Sequence, residues 1–366
     1  MISRPVRKNR KGGAALVAVL IMLILVAAGT AVMIVTGKGS IKEAADVPSI
    51  SHDSSAPESQ AEESKAAESA PESVAEPEPE EAPFPEPVKA EGFKEMDFKK
   101  LEMSTKYGIL LDVEANEIVA GANYEKKLYP ASLTKVMALI VAVENVKDPK
   151  AKYKFTEKVI APLVEDNASM AGFMTGETVT FNDLLYASIL VSGADGTAGL
   201  SNIVAGSEKE FVKLMNQKAE QMGLKNTHFT NASGLHDDDH YSTCLDMAKI
   251  LSYALQNETC RKVLTADSYT TSKTKNFHPD GITLYSIVQD RLLGYFVDLD
   301  GDGNEDGKIT GGKTGFTDEA GFCLELIYEY NDKTYIGMTC KSTYQDNSRD
   351  DTIMLLEKYV PKKKKG

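Results

Sequence analysis

Near its C-terminal end, the chain reads ITGGKTGFTDEAGFCLELIYEYNDKTYIGMTCKS from Ile309 to Ser342. Three runs within this stretch, at 309–316, 320–330 and 333–342, are rich in β-branched and aromatic residues and are typical of strands. Asn331 and Asp332 separate the last two runs, and these residue types favour a tight two-residue turn. The stretch therefore predicts neighbouring antiparallel strands joined by a hairpin at Asn331–Asp332.

The region before this sheet is predicted to be mainly helical. Apolar residues recur at three- and four-residue spacing in 181–193, 196–206 and 207–223. A helix buried on most faces begins at Ser132, because a helix-starting Ser precedes apolar residues that continue through Val143.

Short strands and a final helix complete the layout. Two strands are expected at Gly108–Val113 and Ile118–Ala120, and a last helix at Asp351–Tyr359. Strands at both ends of a helical middle indicate an α+β domain, in which one antiparallel sheet is assembled from both ends of the chain and packs against a helical block.

The N-terminal region has a different character. Residues 13–36 form a run of 24 uncharged residues, about 36 Å as a helix, which is long enough to span a bilayer. Five basic residues precede the run, so the positive-inside rule places residues 1–12 in the cytoplasm and everything after the run outside. We expect a single-pass signal anchor in the cell membrane. The alternative is a signal peptide cleaved near Ala27 and Gly29, which would release a secreted protein.

Residues 37–92 are predicted to be a disordered spacer rich in Pro, Ser, Ala and Glu. Positions 41–92 hold 14 acidic residues and three lysines, in a chain of 366 residues with a net charge of −13. So acidic and proline-rich a segment cannot bury enough apolar surface to fold. The folded domain is therefore expected at 93–360, followed by a basic tail at 361–366. The charge distribution also argues against a nucleic-acid partner, which would require a clustered basic surface.

Three short motifs follow one another on this layout, at Ser132–Lys135, Ser192–Ala194 and Lys313–Gly315. In the first motif, Ser and Lys lie one helical turn apart on the same face, so the amine can reach the hydroxyl. A Ser hydroxyl needs a base, and none of the five His residues lies in a motif. Lys135 must then be a neutral base, and we expect burial and the charge of Lys313 to lower its pKa.

This set of motifs resembles the penicillin-binding and serine β-lactamase superfamily, whose elements are S-x-x-K, S-x-N and K-T-G. The chain is most similar to the low-molecular-weight D-alanyl-D-alanine carboxypeptidases, the S11 serine peptidases. The stretches that carry this similarity are YPASLTKVM (129–137), GETVTFNDLLYASILVSGAD (176–195), FVKLMNQKAEQMGLKNTHFTNASGL (211–235), HYSTCLDMA (240–248) and GGKTGFTDEAGFCL (311–324).

The resemblance implies a penicillin-binding-protein-like fold and a serine acyltransferase that needs no cofactor. Such an enzyme releases the terminal D-Ala from peptidoglycan stem peptides, and β-lactam antibiotics acylate it. The roles that the resemblance implies are nucleophile for Ser132, base for Lys135, proton relay for Ser192, substrate binding for Lys313, Thr314 and Gly315, and oxyanion binding by the backbone N–H groups of Ser132 and Phe316.

One position departs from the family pattern. The second motif of the family ends in Asn, and here that residue is Ala194. Asp195 follows, but an Asp commonly follows the Asn in this family too, so the pattern does not make it a replacement. The alternatives are an active carboxypeptidase, a catalytically weakened or silent wall-binding homologue, and a class A-like β-lactamase. The last alternative is disfavoured, because no E-x-x-L-N string lies between the second and third motifs.

An acidic stretch, DLDGDGNEDG at 298–307, matches three-quarters of a calcium-binding loop. Carboxylates occupy loop positions 1, 3, 5 and 9, and Gly occupies position 6. The bidentate Glu of position 12 is replaced by Ile309. A structural calcium site and a solvated acidic turn are both compatible with this pattern. The predicted ligands are Asp298, Asp300, Asp302 and Asp306.

The four cysteines show no metal-binding spacing. A hairpin at Asn331–Asp332 would place Cys323 and Cys340 opposite each other. We expect buried free thiols rather than a disulfide, because directly opposed strand positions strain the bridge.

Overall fold

A six-stranded sheet organises residues 84–362, the part of the chain that the computed structural model describes. The strands are β1 (Val88–Glu95), β2 (Tyr107–Asp112), β3 (Glu117–Ala122), β4 (Lys152–Lys154), β5 (Thr178–Thr180), β6 (Ser268–Thr270), β7 (Thr283–Tyr285), β8 (Lys308–Thr317), β9 (Gly321–Tyr330) and β10 (Lys333–Ser342). The order in the large sheet is β1-β3-β2-β10-β9-β8, and β4-β5 and β6-β7 form two small hairpin-like pairs.

Nine helices lie in the described residues, most of them in the middle of the chain. They are α1 (Lys135–Asn145), α2 (Glu157–Glu165), α3 (Phe181–Leu190), α4 (Ala194–Ala205), α5 (Glu208–Gln221), α6 (Cys244–Ala254), α7 (Glu258–Leu264), α8 (Ile287–Arg291) and α9 (Gln345–Tyr359). The predicted α+β class is confirmed, because β2 from the N-terminal side pairs antiparallel with β10 from the C-terminal side. β1 is the exception to the antiparallel pattern, since it runs parallel to β3.

The sheet is covered on both faces. Alternate residues of β9 and β10, such as Ile327 and Ile336, pack against the helical block, while Leu326 and Tyr335 pack under α9. Helix α1 lies inside the helical block, and every residue from Lys135 to Ala142 is buried. This burial explains why its sequence is apolar on nearly all faces.

The predicted hairpin is confirmed at Asn331–Asp332, where both residues have positive φ, 51° and 57°. The β9–β10 pairing continues to Thr339 opposite Leu324 and is then interrupted by a bulge. Cys323 and Cys340 lie within this bulge, and both are free and buried, as are the other two cysteines. The expectation of buried free thiols is confirmed.

The folded domain begins earlier than residue 93. β1 starts at Val88, and the chain before it already contacts the helical block, because the Phe84 ring lies edge-on to Tyr253. The predicted boundary was therefore wrong. The sequence of β1, VKAEGFKE, is mostly polar and its side chains are mostly exposed, so its composition resembles that of the spacer. Pairing with β3 nevertheless holds this strand in the sheet.

The predicted cytoplasmic tail, the anchor at 13–36, most of the spacer and the last four residues lie outside the described residues. Between residues 84 and 362, no helix combines the length and the apolar character needed to cross a membrane.

Candidate active site

Ser132 lies in a 3₁₀ turn, Ala131–Thr134, that leads directly into α1. Its hydroxyl does not cap the helix; instead it accepts a hydrogen bond from Lys135 Nζ at 3.0 Å. The residue before it, Ala131, has a positive φ of 47°, an unusual conformation for a residue with a side chain. The local backbone thus holds the nucleophile candidate next to the amine candidate, as the motif predicts.

Lys135 is almost completely buried, with 2% of its surface exposed. Burial lowers its pKa to about 7, and the negative charges of Asp195 and Glu208 oppose this shift. The direction of the shift and its main cause, burial, are as predicted, whereas the charge of Lys313, the second predicted cause, is not among its causes. About half of the Lys135 side chains are therefore neutral at pH 7, and a neutral amine has the lone pair that a base requires.

The loop 231–235 supplies the second partner of Lys135. Lys135 Nζ donates to the Ser233 carbonyl oxygen at 2.6 Å. The Asn231 side chain folds the loop, because its Oδ1 accepts from the Gly234 and Leu235 N–H groups at 2.7 and 3.1 Å. Sequence reasoning missed this contribution, although the stretch N-A-S-G-L lay within the family resemblance.

Gly234 fits this loop against the Ser132 turn. It has φ +83°, and a Cβ at this position would lie 1.9 Å from the Ala131 carbonyl oxygen. Only glycine combines this conformation with so close an approach. The sequence signal was an Asn followed three residues later by Gly.

Ser192 joins the second motif to the third. It lies between α3 and α4 with φ +57°, and its side chain is buried. Its Oγ accepts a hydrogen bond from Lys313 Nζ at 2.9 Å. Within residues 84–362, the Ser192 hydroxyl is therefore hydrogen-bonded to Lys313 and not to Lys135.

The third motif lies on β8, the edge strand of the sheet. Lys313 is buried and also donates to the Thr314 carbonyl oxygen at 2.8 Å. A Cβ on Gly315 would lie 3.0 Å from the Pro130 carbonyl oxygen, so glycine lets β8 approach the Ser132 turn. Phe316, at the far end of the motif, is 47% exposed and stacks on Phe322. The structure thus brings the three motifs together around Ser132.

Ala194 is buried at the first position of α4, and its N–H donates to the Ser169 carbonyl oxygen at 2.7 Å. Asp195 does not replace the missing amide of the motif. Its carboxylate accepts from the backbone N–H groups of Ala171, Gly172 and Phe173, at 2.9 to 3.2 Å, and thereby fixes the loop beside the site.

The acidic stretch brings three of its four predicted ligands together. Carboxylate oxygens of Asp298, Asp300 and Asp306 lie within 4.8 Å of one another, whereas Asp302 is outside this group. Asp298 also accepts from the Gly301 and Gly303 N–H groups. Oxygen donors of this kind suit a hard cation such as Ca²⁺, although three carboxylates are fewer than its usual coordination number.

The two-faced sheet and the Ser-Lys site have the architecture of the penicillin-binding-protein fold. The chain belongs to the D-alanyl-D-alanine carboxypeptidase family, whose sequence model matches residues 94–336. Curated relatives include D-alanyl-D-alanine carboxypeptidase DacF of Bacillus subtilis, 32% identical over 63% of this chain and 57% of its own length. Another is D-alanyl-D-alanine carboxypeptidase DacA of Escherichia coli K12, 32% identical over 59% of this chain and 51% of its own length.

Solved structures agree with this assignment. The Streptomyces K15 DD-transpeptidase superposes with a TM-score of 0.60 at 26% identity, covering 70% of this chain and 97% of that one. Penicillin-binding protein 5 from Haemophilus influenzae has a TM-score of 0.58 at 24% identity, covering 69% and 70%, and it supports the fold. The chain spans about half the length of the two curated relatives named above.

Proposed function

We propose that the protein is a serine D-Ala-D-Ala carboxypeptidase that removes the terminal D-Ala from peptidoglycan stem peptides. The observation that carries this proposal is the 3.0 Å contact between Lys135 Nζ and Ser132 Oγ, with the amine buried and its pKa lowered to about 7. Family membership supports the substrate class. β-Lactam antibiotics would acylate the same Ser.

Acylation begins when neutral Lys135 accepts the Ser132 hydroxyl proton while Oγ bonds to the carbonyl carbon of the penultimate D-Ala. The Ser233 carbonyl holds one N–H of the amine, which leaves the lone pair free for the hydroxyl. The backbone N–H groups of Ser132 and Phe316 would stabilise the oxyanion. The C–N bond then breaks, and Lys135 returns the accepted proton to the leaving amine through Ser192, so that Lys135 is neutral again before water enters.

Substrate binding and deacylation complete the reaction. Lys313 and Thr314 bind the terminal carboxylate, while the free edge of β8, with Gly315 close to the Ser132 turn, receives the extended peptide. After D-Ala leaves, water attacks the ester carbonyl and gives up a proton to Lys135. Oγ recovers its hydrogen, and the shortened peptide departs.

The test is release of D-Ala from a peptide ending in D-Ala-D-Ala by the full-length protein, with Ser132→Ala as the control. Because Lys135 acts as a base, the rate should rise with pH through about 7 and be about tenfold below its plateau at pH 6. A rate that does not change between pH 6 and 8 would remove Lys135 as the base. Equal release by Ser132→Ala would remove the acyl-enzyme.

Ala194 supports a second candidate, a weakened homologue that binds wall peptides with little turnover. A reporter penicillin used beside the D-Ala assay separates the two, because labelling reports a reactive Ser132 and D-Ala release reports turnover. Labelling without measurable D-Ala release favours the weakened homologue. Fast loss of the label by hydrolysis would instead favour the class A-like β-lactamase.

We infer that residues 13–36 anchor the protein in the bacterial membrane, with the catalytic domain extracytoplasmic. Their length and lack of charge support this inference. Protease added to intact protoplasts should digest the domain of a membrane-bound protein with the N-terminal tail protected. A mature protein that begins near residue 30 and lies in the medium would show cleavage instead.

We also propose that the acidic loop binds a structural calcium ion through Asp298, Asp300 and Asp306. Their convergence within 4.8 Å and the loop spacing support the proposal. The ion would order the segment leading into β8 and would take no part in the chemistry at Ser132.

A further inference from the structure

Glu325, on β9, is a buried acid that the chemistry described above does not use. It is the register partner of Lys313 across the β8–β9 pair. Both side chains therefore project from the same face of the sheet, with Cβ atoms about 5 Å apart. Cys323 and Ile327 precede and follow it on this face, which packs against the helical block.

The carboxyl group has no partner of its own. Glu325 is 0% exposed, and neither side-chain oxygen has a hydrogen-bond partner within the described residues. Its neighbour in the register of β10 is Met338, which is uncharged. An ionised carboxylate without a partner in such surroundings is strongly destabilising, so a nearby cation must compensate or the group must take up a proton.

We propose that Glu325 is a positioning residue that keeps Lys313 in its cationic form, ready to bind the terminal carboxylate of the substrate. The proposal rests on the proposed function, since it concerns the same carboxylate-binding lysine. Glu325 acts through Lys313 and touches no reacting atom.

Burial and the charge of Glu325 act in opposite directions on the pKa of Lys313. Burial lowers the pKa of Lys313 well below its usual value, and the positive charges of Lys135 and Arg291 lower it further. Glu325 is the acid that opposes these effects. Burial in turn raises the pKa of Glu325, which Cys323 raises further and Lys313 lowers.

The charge of Glu325 therefore affects whether Lys313 keeps its proton, and the function depends on that proton. With the proton on Lys313, a cation at the substrate strand lies on the same buried face as the Glu325 carboxylate, which compensates its charge across the strand pair. Within residues 84–362, Glu325 is the acid whose charge raises the pKa of Lys313. Without this carboxylate, Lys135 and Arg291 repel the Lys313 ammonium uncompensated, and Lys313 loses its proton at a lower pH. The catalytic base needs Lys135 to be neutral, whereas the carboxylate site needs Lys313 to be charged. Glu325 lies opposite Lys313 in the strand pair and favours the charged form of that lysine.

The experiment compares two probes on the full-length protein, a reporter penicillin with its free carboxylate and the same penicillin as its methyl ester. The ratio of their acylation rates measures how strongly the site prefers a carboxylate, and it is followed from pH 5.5 to 9. The variant is Glu325→Gln, which has the same shape without the charge. The matched control is Glu329→Gln, since Glu329 is the partner of Lys308 in the same strand pair and lies at the protein surface.

We expect wild type and Glu329→Gln to lose the preference for the free acid at the same pH, and Glu325→Gln to lose it at a lower pH. Each unit of displacement reduces the ratio by about tenfold in the intervening range. At the acid end, where Lys313 is charged in wild type and in the variant, the ratios should coincide. A merely structural role would slow both probes alike and leave the ratio unchanged.

Three other outcomes are decisive. If the ratio in Glu325→Gln follows the wild-type curve, the proposal fails while the proposed function stands. If neither probe acylates wild type at Ser132, the proposed function fails first. If Glu325→Gln does not fold, Glu325→Asp replaces it, because this variant moves the carboxylate back by one methylene. The pH dependence of the ratio must then shift in the same direction by a smaller amount. An unchanged pH dependence overturns the proposal.

Discussion

Lys135 shows at the scale of one residue how reactivity and stability oppose each other. Its pKa falls from 10.5 to about 7 on folding, which destabilises the folded state at pH 7 by about 4 kcal/mol, because one pKa unit corresponds to about 1.4 kcal/mol. Lys135→Met removes this cost and loses the bond to the Ser233 carbonyl, worth about 1–3 kcal/mol. We expect the free energy of unfolding to rise by about 1–3 kcal/mol while penicillin labelling disappears.

Denaturant unfolding at pH 7 and pH 10 checks this prediction. A lysine whose pKa is lowered on folding weakens the folded state below the unfolded-state pKa, and the effect vanishes as the unfolded chain also loses its proton. The gain of Lys135→Met should therefore shrink towards pH 10. Lys126→Met, at an exposed lysine, should show no gain at either pH. A Lys135→Met protein less stable than wild type at pH 7 would contradict the account.

How far single residues could be predicted depends on whether the side chain itself does the work. Ser132 and Lys135 were predicted because their types and spacing are chemical requirements. The contribution of Ser233 is a backbone carbonyl, which any residue type provides. Glu325 was missed because it and Glu329 lie on one face of CLELIYEY, which suggests contact with solvent. The local pattern does not reveal that helices cover both faces of the sheet.

At the scale of elements, the loop 231–235 is predicted to control the Ser132 turn. Gly234→Ala adds a Cβ that would collide with the Ala131 carbonyl oxygen, so the turn must move and the Lys135–Ser233 contact must open. We expect penicillin labelling to fall by at least about tenfold and stability to fall by more than the 1–3 kcal/mol of backbone strain alone. Labelling rates and thermal unfolding measure both effects.

Gly294→Ala is the matched control for Gly234→Ala. Gly294 has nearly the same φ, +81°, but an added Cβ would meet nothing within 4 Å. It should lose only the strain energy, about 1 kcal/mol, and label normally. If the two variants label equally well, the loop does not position the turn.

The acidic loop before β8 gives a prediction about calcium. Binding to the folded state alone should stabilise the protein by about 2.7 kcal/mol at 100 times Kd and raise the melting temperature. Asp300→Asn should abolish this rise, whereas Asp302→Asn should retain part of it, because Asp302 lies outside the converging group. Thermal unfolding with Ca²⁺, with Mg²⁺ and with a chelator measures the effect. A melting temperature that calcium leaves unchanged would identify a solvated acidic turn.

Elements were predicted well where local chemistry determines them and poorly where pairing does. Asn331 and Asp332 suit the positive φ values of a tight turn, so the hairpin and its strands were evident from the sequence. β1 has no apolar periodicity, because its residues are mostly exposed and its position depends on hydrogen bonds to β3. A strand stabilised by its partner rather than by its own side chains leaves little signal in the sequence.

At the scale of the whole molecule, the domain begins with residues 84–92, whose acidic and polar composition led to their assignment to the spacer. Lys249 is buried, with 1% of its side chain exposed, and it pairs with Glu86 at 2.5 Å. Phe84 packs edge-on to Tyr253 at 5.4 Å between ring centroids. β1 then covers the outer edge of β3, at the end of the sheet opposite to the β8 edge that carries Lys313. These contacts therefore concern stability, and they lie across the sheet from the chemistry.

A protein that starts at residue 93 should consequently be less stable than one that starts at residue 84. Deletion leaves the Lys249 ammonium buried without its partner and removes one strand and one aromatic contact, so we expect a loss of at least about 2 kcal/mol. Glu86→Gln in the longer protein isolates the ion pair and should account for part of that loss. Penicillin acylation per folded molecule should be the same in all three proteins, because the Ser132 turn and β8 keep their contacts. Denaturant unfolding measures the loss of stability, and labelling rates measure the acylation. If the proteins of the two lengths are equally stable, residues 84–92 do not contribute to the folded domain.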